Sequence, residues 1–413
     1  MTARKGSVRI GDWSGLDPKG LGALAIAALG GVYSSMILNL LPSFVNTWVV
    51  HLGVPERVAG DIATVNLLAH ATGVGATLYL VSRWPLPRIA LVGLVLAISG
   101  DLASIFGHSL VPLLIERAVA GLGLGLQYGA VVNWFGRNEN SAQGFGIFIV
   151  LQFVLAALLF AIIPHLSPLL GDATPYLALL PLMGMAAAFR PVLGLNGGSR
   201  SPRESKGAIV ATNTTLPASP RQAGIGKVLS VLAFAAFNLA ALGLYAYMQR
   251  YGESVGLSAA AASDALALSA ICGIPGGVLV VAIGSRYGRL WPLLISLLLF
   301  AAPVIVFALG GVPAVVFVLG QAIIGLAWTV VFPYFLDVQS ALDKTGRLGV
   351  VGTLVAAIAA ACGPTFIGLG IDQGRYGGAF RLALWAFAAS AIMVIAPARL
   401  ADLTMRSRRN SKA

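Results

Sequence analysis

Twelve long apolar runs dominate this sequence, and short polar breaks separate them. A helix needs about 20 apolar residues to cross the hydrocarbon core of a bilayer, whereas the strands of a membrane barrel alternate apolar and polar residues over roughly 10 positions. The runs here are continuous, so they favour helices. We place the spans at residues 22–50, 57–82, 88–107, 110–134, 142–164, 173–193, 226–250, 258–284, 290–309, 312–337, 347–370 and 377–398.

The composition agrees with lipid as the solvent of this chain. Of the 413 residues, 58% are hydrophobic and 10% are charged, whereas a soluble domain carries about 25% charged residues. A chain this long and this apolar cannot hide its surface in a water-soluble core. The sequence therefore predicts an all-α membrane protein with twelve transmembrane helices.

The basic residues predict the orientation, because cytoplasmic loops carry an excess of Lys and Arg. With twelve spans, 22 of the 27 Lys and Arg residues lie on the side of the two termini, four lie on the other side, and Arg117 lies within a span. We expect both termini in the cytoplasm and the protein in the plasma (inner) membrane. This distribution also accounts for the net charge of +12 without a nucleic-acid partner.

The two halves of the chain match each other when one is shifted by 203 residues. The matched pairs include Gly53 with Gly256, Asp61 with Asp264, Gly73 with Gly276, Gly146 with Gly349 and Gly171 with Gly374. A duplicated six-helix unit predicts two pseudo-symmetric bundles, with substrate bound between them near the midplane. The predicted parts are a cytoplasmic tail (1–21), a first bundle (22–193), a cytoplasmic linker (194–225), a second bundle (226–398) and a second cytoplasmic tail (399–413).

Two short motifs resemble those of the major facilitator superfamily. Residues 285–289 read Ser-Arg-Tyr-Gly-Arg, which resembles the loop signature Asp-Arg-x-Gly-Arg with Ser in place of Asp. Residues 82–86, the matching loop of the first half, keep only the Arg. Residues 117–121 read Arg-Ala-Val-Ala-Gly and resemble the fourth-helix motif of that family.

The resemblance to this family implies a transporter fold and a gate on the cytoplasmic side. The residues that match its gate are Arg83, Arg286, Gly288, Arg289 and Asp337. The resemblance implies that the acid at the end of the tenth helix pairs with Arg286 or Arg289 and latches the cytoplasmic side. An exposed surface pair of little energetic value is the alternative.

Polar stripes on several spans predict a substrate cavity. The predicted lining residues are Ser35, Asn39 and Asn46 on the first helix, Asn66 and His70 on the second, Asn238, Tyr245 and Gln249 on the seventh, and Gln321 on the tenth, which matches Arg117 when the shift is 204 residues. An unmatched amide in lipid is costly, so these stripes indicate a water-accessible wall. Hydrogen bonding between helices is the alternative.

Arg117 is the basic residue that lies within a predicted span. A charge at that depth costs several kcal/mol unless it is paired or faces water. One interpretation makes Arg117 a cavity residue that binds an anionic substrate or takes part in coupling. The other makes it the structural partner of Glu116 or Asp101.

Five residues are candidates for proton coupling, because each titrates and lies within or near a span: His70, Glu116, Asp101, Asp61 and Asp264. Histidine titrates near neutral pH and can relay protons. Asp61 and Asp264 also lie near the starts of helices, where an acid stabilises the helix dipole. Both interpretations remain open for these residues.

The motifs that are absent limit the function class. The sequence has no Walker A motif, no GxSxG elbow and no HExxH pair, so we expect neither an enzyme nor a bound cofactor or metal. We predict a monomeric secondary active transporter that moves a small organic anion or another polar metabolite, coupled to protons. A multidrug/proton antiporter is the first alternative, and a membrane sensor that does not transport is the second.

Overall fold

The structure is a computed structural model that describes residues 16–107, 109–138, 140–195, 220–284, 286–343 and 347–410. Most of the predicted linker (194–225), much of the predicted N-terminal tail (1–21) and the last residues of the C-terminal tail lie outside the described residues. Ser285, the position where the loop signature departs from Asp, also lies outside them.

The described part of the chain is helical and contains no β-strand beyond one isolated bridge between Asp372 and Arg375. The helices of the first half are α1 (Leu21–Val32), α2 (Met36–Asn39), α3 (Leu41–Leu52), α4 (Glu56–Leu80), α5 (Leu86–Phe106), α6 (Leu110–Arg137), α7 (Ser141–Leu170), α8 (Thr174–Leu177) and α9 (Leu180–Phe189). Those of the second half are α10 (Pro220–Tyr245), α11 (Met248–Ser254), α12 (Ala259–Ile283), α13 (Leu290–Leu309), α14 (Ala314–Leu342), α15 (Arg347–Gly368) and α16 (Gly377–Asn410).

These helices follow the twelve predicted spans, and the predicted fold class is confirmed. By length and composition, ten stretches among the described residues are long and apolar enough to cross a membrane. One of them, Gln143–Gly194, has 52 residues and holds two predicted spans, because about 20 residues suffice for one crossing. The stretch that is α4 is not among the ten, and it carries the polar residues Asn66 and His70.

Several spans are interrupted rather than straight. The first consists of α1, a 3-10 turn at Tyr33–Ser35, α2 and α3. Pro42 lies at the start of α3, where its missing N–H removes no intrahelical hydrogen bond. The seventh is divided into α10 and α11 near Tyr247. Contiguous apolar runs in the sequence do not reveal such breaks.

The described residues form two compact units, and each draws on separate stretches of the chain. Unit 1 is built from Met1–Asn39, Ala69–Gln152 and Tyr176–Lys206, and unit 2 from Leu40–Leu68, Phe153–Pro175 and Gly207–Ala413, over their described residues. In unit 2 we call the end from which α16 runs to the C-terminus the tail end, and the opposite end the far end. The predicted boundaries of the two bundles stay a prediction.

Within unit 1, glycines let α5 and α6 approach closely. A Cβ built on Gly100 lies 2.6 Å from the backbone N of Ala120, and one built on Gly93 lies 2.8 Å from that of Gln127. Such small residues are what brings membrane helices into close contact. The approach places the buried face of α5 directly against the face of α6 that carries Arg117.

Candidate functional site

A buried ion pair joins α5 and α6 in unit 1. The Arg117 guanidinium lies 2.8 Å from Asp101 Oδ1, and the two side chains are 0% and 2% exposed. Arg117 Nε donates to Ser104 Oγ at 2.9 Å, and Nη2 donates to the Gly100 carbonyl at 2.9 Å. The Tyr33 hydroxyl donates to the second Asp101 oxygen at 2.6 Å. Further hydrogen bonds stabilise a buried pair by satisfying its other donors and acceptors, and these contacts do so for Nε and Nη2 of Arg117 and for both carboxylate oxygens of Asp101.

In the structure, Arg117 is therefore the partner of Asp101, which is one of the two acids that the sequence offered as a structural partner. Its side chain does not reach an open cavity wall, because it is completely buried, with the Tyr176 ring 5.1 Å from the guanidinium carbon. The close packing of α5 on α6 explains why Asp101 meets it. Glu116, the neighbouring acid, is half-buried against Gly107 at the end of α5.

The remaining predicted cavity residues of unit 1 make short-range polar contacts. His70 Nε2 lies 3.3 Å from the Ser34 carbonyl, and its ring is 5.6 Å from that of Tyr128. The Asn39 amide donates to Gln152 Oε1 at 3.4 Å. The Ser35 hydroxyl bonds its own helix. His70 and Asn39 therefore each have a polar contact within unit 1.

In unit 2 the predicted cavity residues differ in their surroundings. Asn238 is buried and donates to the Phe234 carbonyl one turn earlier at 2.9 Å, while Tyr245 is partly buried and Asn66 is completely buried. Gln321 is also completely buried, and its amide O and N have no hydrogen-bond partner among the described residues. Gln321 matches Arg117 in the repeat, so the second half keeps a buried polar group there.

A charged cluster lies at the far end of unit 2 and contains residues of both halves of the chain. The Arg250 guanidinium lies 3.4 Å from Glu56 at the start of α4 and 3.4 Å from Glu253. It also donates to Asn46 Oδ1 at 3.4 Å, and the Tyr376 hydroxyl lies 3.5 Å from Glu56. The cluster therefore bridges α3 and α4 of the first half with α11 of the second. We call it the far-end cluster.

One carboxyl group and one phenol group of this cluster have shifted pKa values. Burial raises the pKa of the Glu253 carboxyl, and the nearby Arg250 charge offsets this only in part. Burial also raises the pKa of the Tyr376 hydroxyl, and the neighbouring Glu56 charge raises it further. Both groups therefore hold their protons more tightly in the folded protein than they would in water.

A second polar contact between the halves surrounds Asp61. The Thr365 hydroxyl of α15 donates to Asp61 Oδ1 at 2.6 Å and lies 3.0 Å from the hydroxyl of Thr64. Its backbone N–H donates to the Thr64 hydroxyl at 3.2 Å. Asp264, which matches Asp61 in the repeat, is exposed on α12. The two acids therefore have different surroundings despite their matched positions.

Further hydrogen bonds close this end of unit 2. The Ser43 hydroxyl donates to Gln249 Oε1 at 3.0 Å, and the Ser263 hydroxyl donates to the Phe160 carbonyl at 2.7 Å. Of the predicted cavity residues, Asn46 and Gln249 thus lie in far-end contacts. Sequence reasoning missed Glu56, Arg250 and Thr365 as contact residues, although Arg250 is one of the four basic residues predicted on that side.

At the tail end, the predicted pairing of Asp337 with Arg286 or Arg289 is observed for Arg289. Its Nε lies 2.9 Å from Asp337 Oδ2. Asp402 of α16, which sequence reasoning missed, accepts the backbone N–H groups of Arg289 and Leu290 at 2.8 and 3.2 Å. Asp402 thus caps the start of α13, where an acid is favoured.

The other predicted gate residues lie around this tail-end cluster or in the matching loop. Gly288 has φ +77°, and a Cβ there would lie 2.8 Å from Asp402 Oδ2. Arg286 is exposed and makes no ion pair with any described side chain. Arg83, its counterpart in the first half, stacks over the Tyr79 ring at 4.2 Å.

No metal site emerges from the side chains that the structure describes, since they contain no group of three His, Cys, Asp or Glu residues with suitable geometry. The two cysteines, Cys272 and Cys362, are free and partly buried.

Long apolar helices, buried polar groups and charge clusters at both ends of unit 2 define a polytopic helical transport protein. The sequence profile of the Major Facilitator Superfamily matches residues 24–364. Because that match covers most of its length, the chain belongs to this superfamily, as its two motifs imply. Among curated proteins, none matches the sequence.

Solved structures with the same fold are transporters. A single-residue variant of the peptide transporter POT is similar at a TM-score of 0.70 and 18% identity, over 93% of this chain and 96% of its own. A D-xylose-proton symporter has a TM-score of 0.70 and 14% identity, over 92% and 97%. The nucleoside transporter NupG, also solved as a variant, has a TM-score of 0.68 and 13% sequence identity, and the match covers 92% of this chain and 99% of NupG. At these identities the likeness establishes the fold alone.

Proposed function

We propose that this protein is a secondary active transporter that moves a small polar metabolite by alternating access and is driven by protons. The observation that carries the proposal is the set of polar contacts between the two repeats at the far end, Arg250 with Glu56 and Thr365 with Asp61. Alternating access requires contacts that hold one end closed and can break. A few hydrogen bonds and ion pairs suit that role better than a large apolar interface.

The surroundings of Arg117 favour a polar metabolite over an organic anion. Its charge is already matched by Asp101 at 2.8 Å, so little positive charge remains for an anion to neutralise. The polar groups that remain are mostly uncharged, such as Asn39, Asn238 and Tyr245. An uncharged or zwitterionic substrate with several hydrogen-bonding groups fits this set.

We assign proton coupling to Asp61. As a carboxylate it accepts a charge-assisted hydrogen bond from Thr365, and such bonds are roughly twice as strong as neutral ones. Protonation removes that advantage and weakens the contact between α4 and α15. A proton arriving from the far side would therefore favour opening of that end.

The remaining expectations belong to the same proposal. We propose that both termini lie in the cytoplasm, that the protein resides in the plasma (inner) membrane, that it works as a monomer, and that the six-helix bundles span 22–193 and 226–398. The excess of Lys and Arg on the side of the termini supports the orientation.

Transport by the reconstituted protein tests the proposal. Proteoliposomes are loaded with a panel of peptides, sugars, nucleosides and carboxylates, and counterflow is measured; uptake is then measured with an imposed pH gradient. We expect Asp61→Asn to keep counterflow and lose concentrative uptake, whereas Asp264→Asn, at the matched but exposed position, keeps both. Concentrative uptake by Asp61→Asn would refute the coupling assignment. Ligand binding without counterflow in the wild type would identify a sensor instead.

A further inference from the structure

An apolar groove opens on an exposed face of unit 2, between α12, α13 and α14. It has a volume of about 360 Å³. Its walls include Leu279 of α12 and Trp291 and Ile295 of α13, which are 41%, 64% and 62% exposed. All three helices are candidate membrane spans. The groove is therefore a concave surface that faces lipid rather than water.

The floor of the groove offers no polar group to an occupant. Ser296 and Val330 line it and are 3% and 5% exposed. The Ser296 hydroxyl donates to the Leu293 carbonyl of its own helix at 2.9 Å, so its hydrogen bond is already made. Hydrocarbon is the chemistry that such a surface accepts without leaving a donor or acceptor unmatched.

The mouth of the groove has the features of a headgroup region. Tyr287, 72% exposed, and Trp291 lie at the tail end, and Tyr and Trp are enriched where a membrane meets water. Arg286 precedes them on the same turn and is exposed without an ion pair to any described side chain. Arg289, on the same turn, is already engaged by Asp337 and Asp402. Within this turn, Arg289 is held by two carboxylates, whereas Arg286 is exposed next in sequence to Tyr287, which lines the groove.

We propose that this groove binds one acyl chain of an anionic phospholipid whose phosphate is held by Arg286. The apolar groove matches the chain, and the unengaged guanidinium matches the headgroup. Anionic lipids are concentrated in the cytoplasmic leaflet, where they attract basic residues next to spans. Bound there, the lipid contacts the same turn that carries Arg289, so lipid composition acts on the tail-end cluster. This inference rests on the proposed orientation, with the tail end on the cytoplasmic side, and does not depend on the proposed substrate or coupling ion.

Quenching of Trp291 fluorescence by brominated phospholipids tests the proposal in the full-length, reconstituted protein. The difference between the wild type and Trp291→Phe isolates the signal of Trp291. We expect brominated phosphatidylglycerol to displace phosphatidylcholine at Trp291 with a relative binding constant of about fivefold, which corresponds to about 1 kcal/mol for one basic residue near an anionic surface. Arg286→Gln reduces that ratio to about one, because the phosphate contact is lost.

Arg83→Gln is the matched control, since Arg83 occupies the corresponding loop of the first half and stacks on Tyr79. We expect it to leave the ratio at Trp291 unchanged. An equal loss with Arg83→Gln would assign the preference to general surface charge and overturn the site. A ratio of one in the wild type would make the groove an ordinary lipid contact. Trp291 that neither brominated lipid quenches would mean that protein, such as a second copy of the chain, covers the groove.

Discussion

The hydroxyl of Thr365 donates a 2.6 Å hydrogen bond to the carboxylate of Asp61, and so joins a helix of the first repeat to a helix of the second. The two residues are far apart in sequence. Their contact and the Arg250–Glu56 pair lie at the same end of unit 2. Because neither contact is a large apolar surface, each is open to single substitutions whose effects can be separated.

Replacing Thr365 by valine is expected to destabilise the protein. The side chain keeps its shape, but Asp61 loses a donor, and a hydrogen bond to a charged group is worth about 1.5–3 kcal/mol. Thermal unfolding of the purified protein measures the change. Thr353→Val on the same helix is the control, because the Thr353 hydroxyl is exposed and bonds only its own helix, at Gly349. Equal losses of thermal stability in the two variants would mean that the Thr365–Asp61 hydrogen bond contributes no more than an ordinary helical one.

Replacing Arg250 by glutamine is expected to loosen the far end. The variant leaves Glu56 and Glu253 without their shared cation, so the ends of α4 and α11 repel each other. The readout is the rate at which a membrane-impermeant maleimide labels Ser43→Cys in a background without other cysteines. We expect Arg250→Gln to speed up the labelling. Arg375→Gln is the control and should leave the rate unchanged, because its partner Asp372 is three residues away and exposed. Unchanged labelling would argue against a gate.

Glu253 is expected to make stability depend on pH. Burial raises its pKa above the ordinary value of 4.5, so the folded protein holds this proton more tightly than the unfolded chain. The stability that Glu253 contributes is therefore fully present below pH 4.5 and is lost as the pH rises through the raised pKa. Arg250 and Gln249 face the same carboxyl and lower its pKa, but burial has the larger effect. Glu253→Gln should make the melting temperature depend less on pH across this window. The control Asp372→Asn, at an exposed residue, should leave that dependence unchanged. Parallel curves of melting temperature against pH for the wild type and Glu253→Gln would contradict this prediction.

Replacing Gly288 by alanine is expected to disrupt the tail-end cluster. The new Cβ would meet the Asp402 carboxylate at 2.8 Å, and the left-handed backbone adds about 1–2 kcal/mol of strain. Gly53→Ala separates the two effects, because Gly53 is left-handed, with φ +61° and ψ +26°, and a Cβ there has nothing within 4 Å. We expect the larger loss of thermal stability at Gly288. Equal losses would mean that backbone strain accounts for the whole effect.

The pair in unit 1 is expected to be sensitive to single substitutions and tolerant of a double one. Asp101→Leu leaves a buried, unmatched guanidinium, and breaking a buried pair costs about 3–5 kcal/mol. Adding Arg117→Met removes the stranded charge, so the double variant should recover much of the loss in melting temperature. Transport by the double variant then tests the earlier interpretation of Arg117. If the double variant is stable but does not bind substrate, Arg117 has a binding role as well.

Much of the fold follows from the sequence because each span needs only a local apolar run. The pairing of Arg289 with Asp337 was also within reach, since a short motif and the end of one helix locate both residues. The partner of Arg117 was not, because a choice between Asp101 and Glu116 depends on which face of α5 packs on α6. That choice is made by backbone contacts at Gly93 and Gly100.

The far-end contacts were beyond sequence reasoning for a different reason. Glu56 and Arg250 belong to different repeats, and no local pattern relates them. Asp61 and Asp264 matched in the repeat, and symmetry suggested equal surroundings. The structure gives them different ones, because Thr365 reaches Asp61 while Asp264 is exposed. Internal symmetry predicted the position of each helix better than the contacts of its side chains.

The ion pair of Asp101 with Arg117 also bears on how this chain enters the bilayer during synthesis. Asp101 of α5 and Arg117 of α6 both lie within candidate membrane spans, and inserting such a charge alone costs about 2.5–3.5 kcal/mol. The two helices are consecutive and joined by a short turn. Entering together as a hairpin, they can neutralise each other before either charge meets hydrocarbon. The pair would then make insertion of these two helices a single cooperative event.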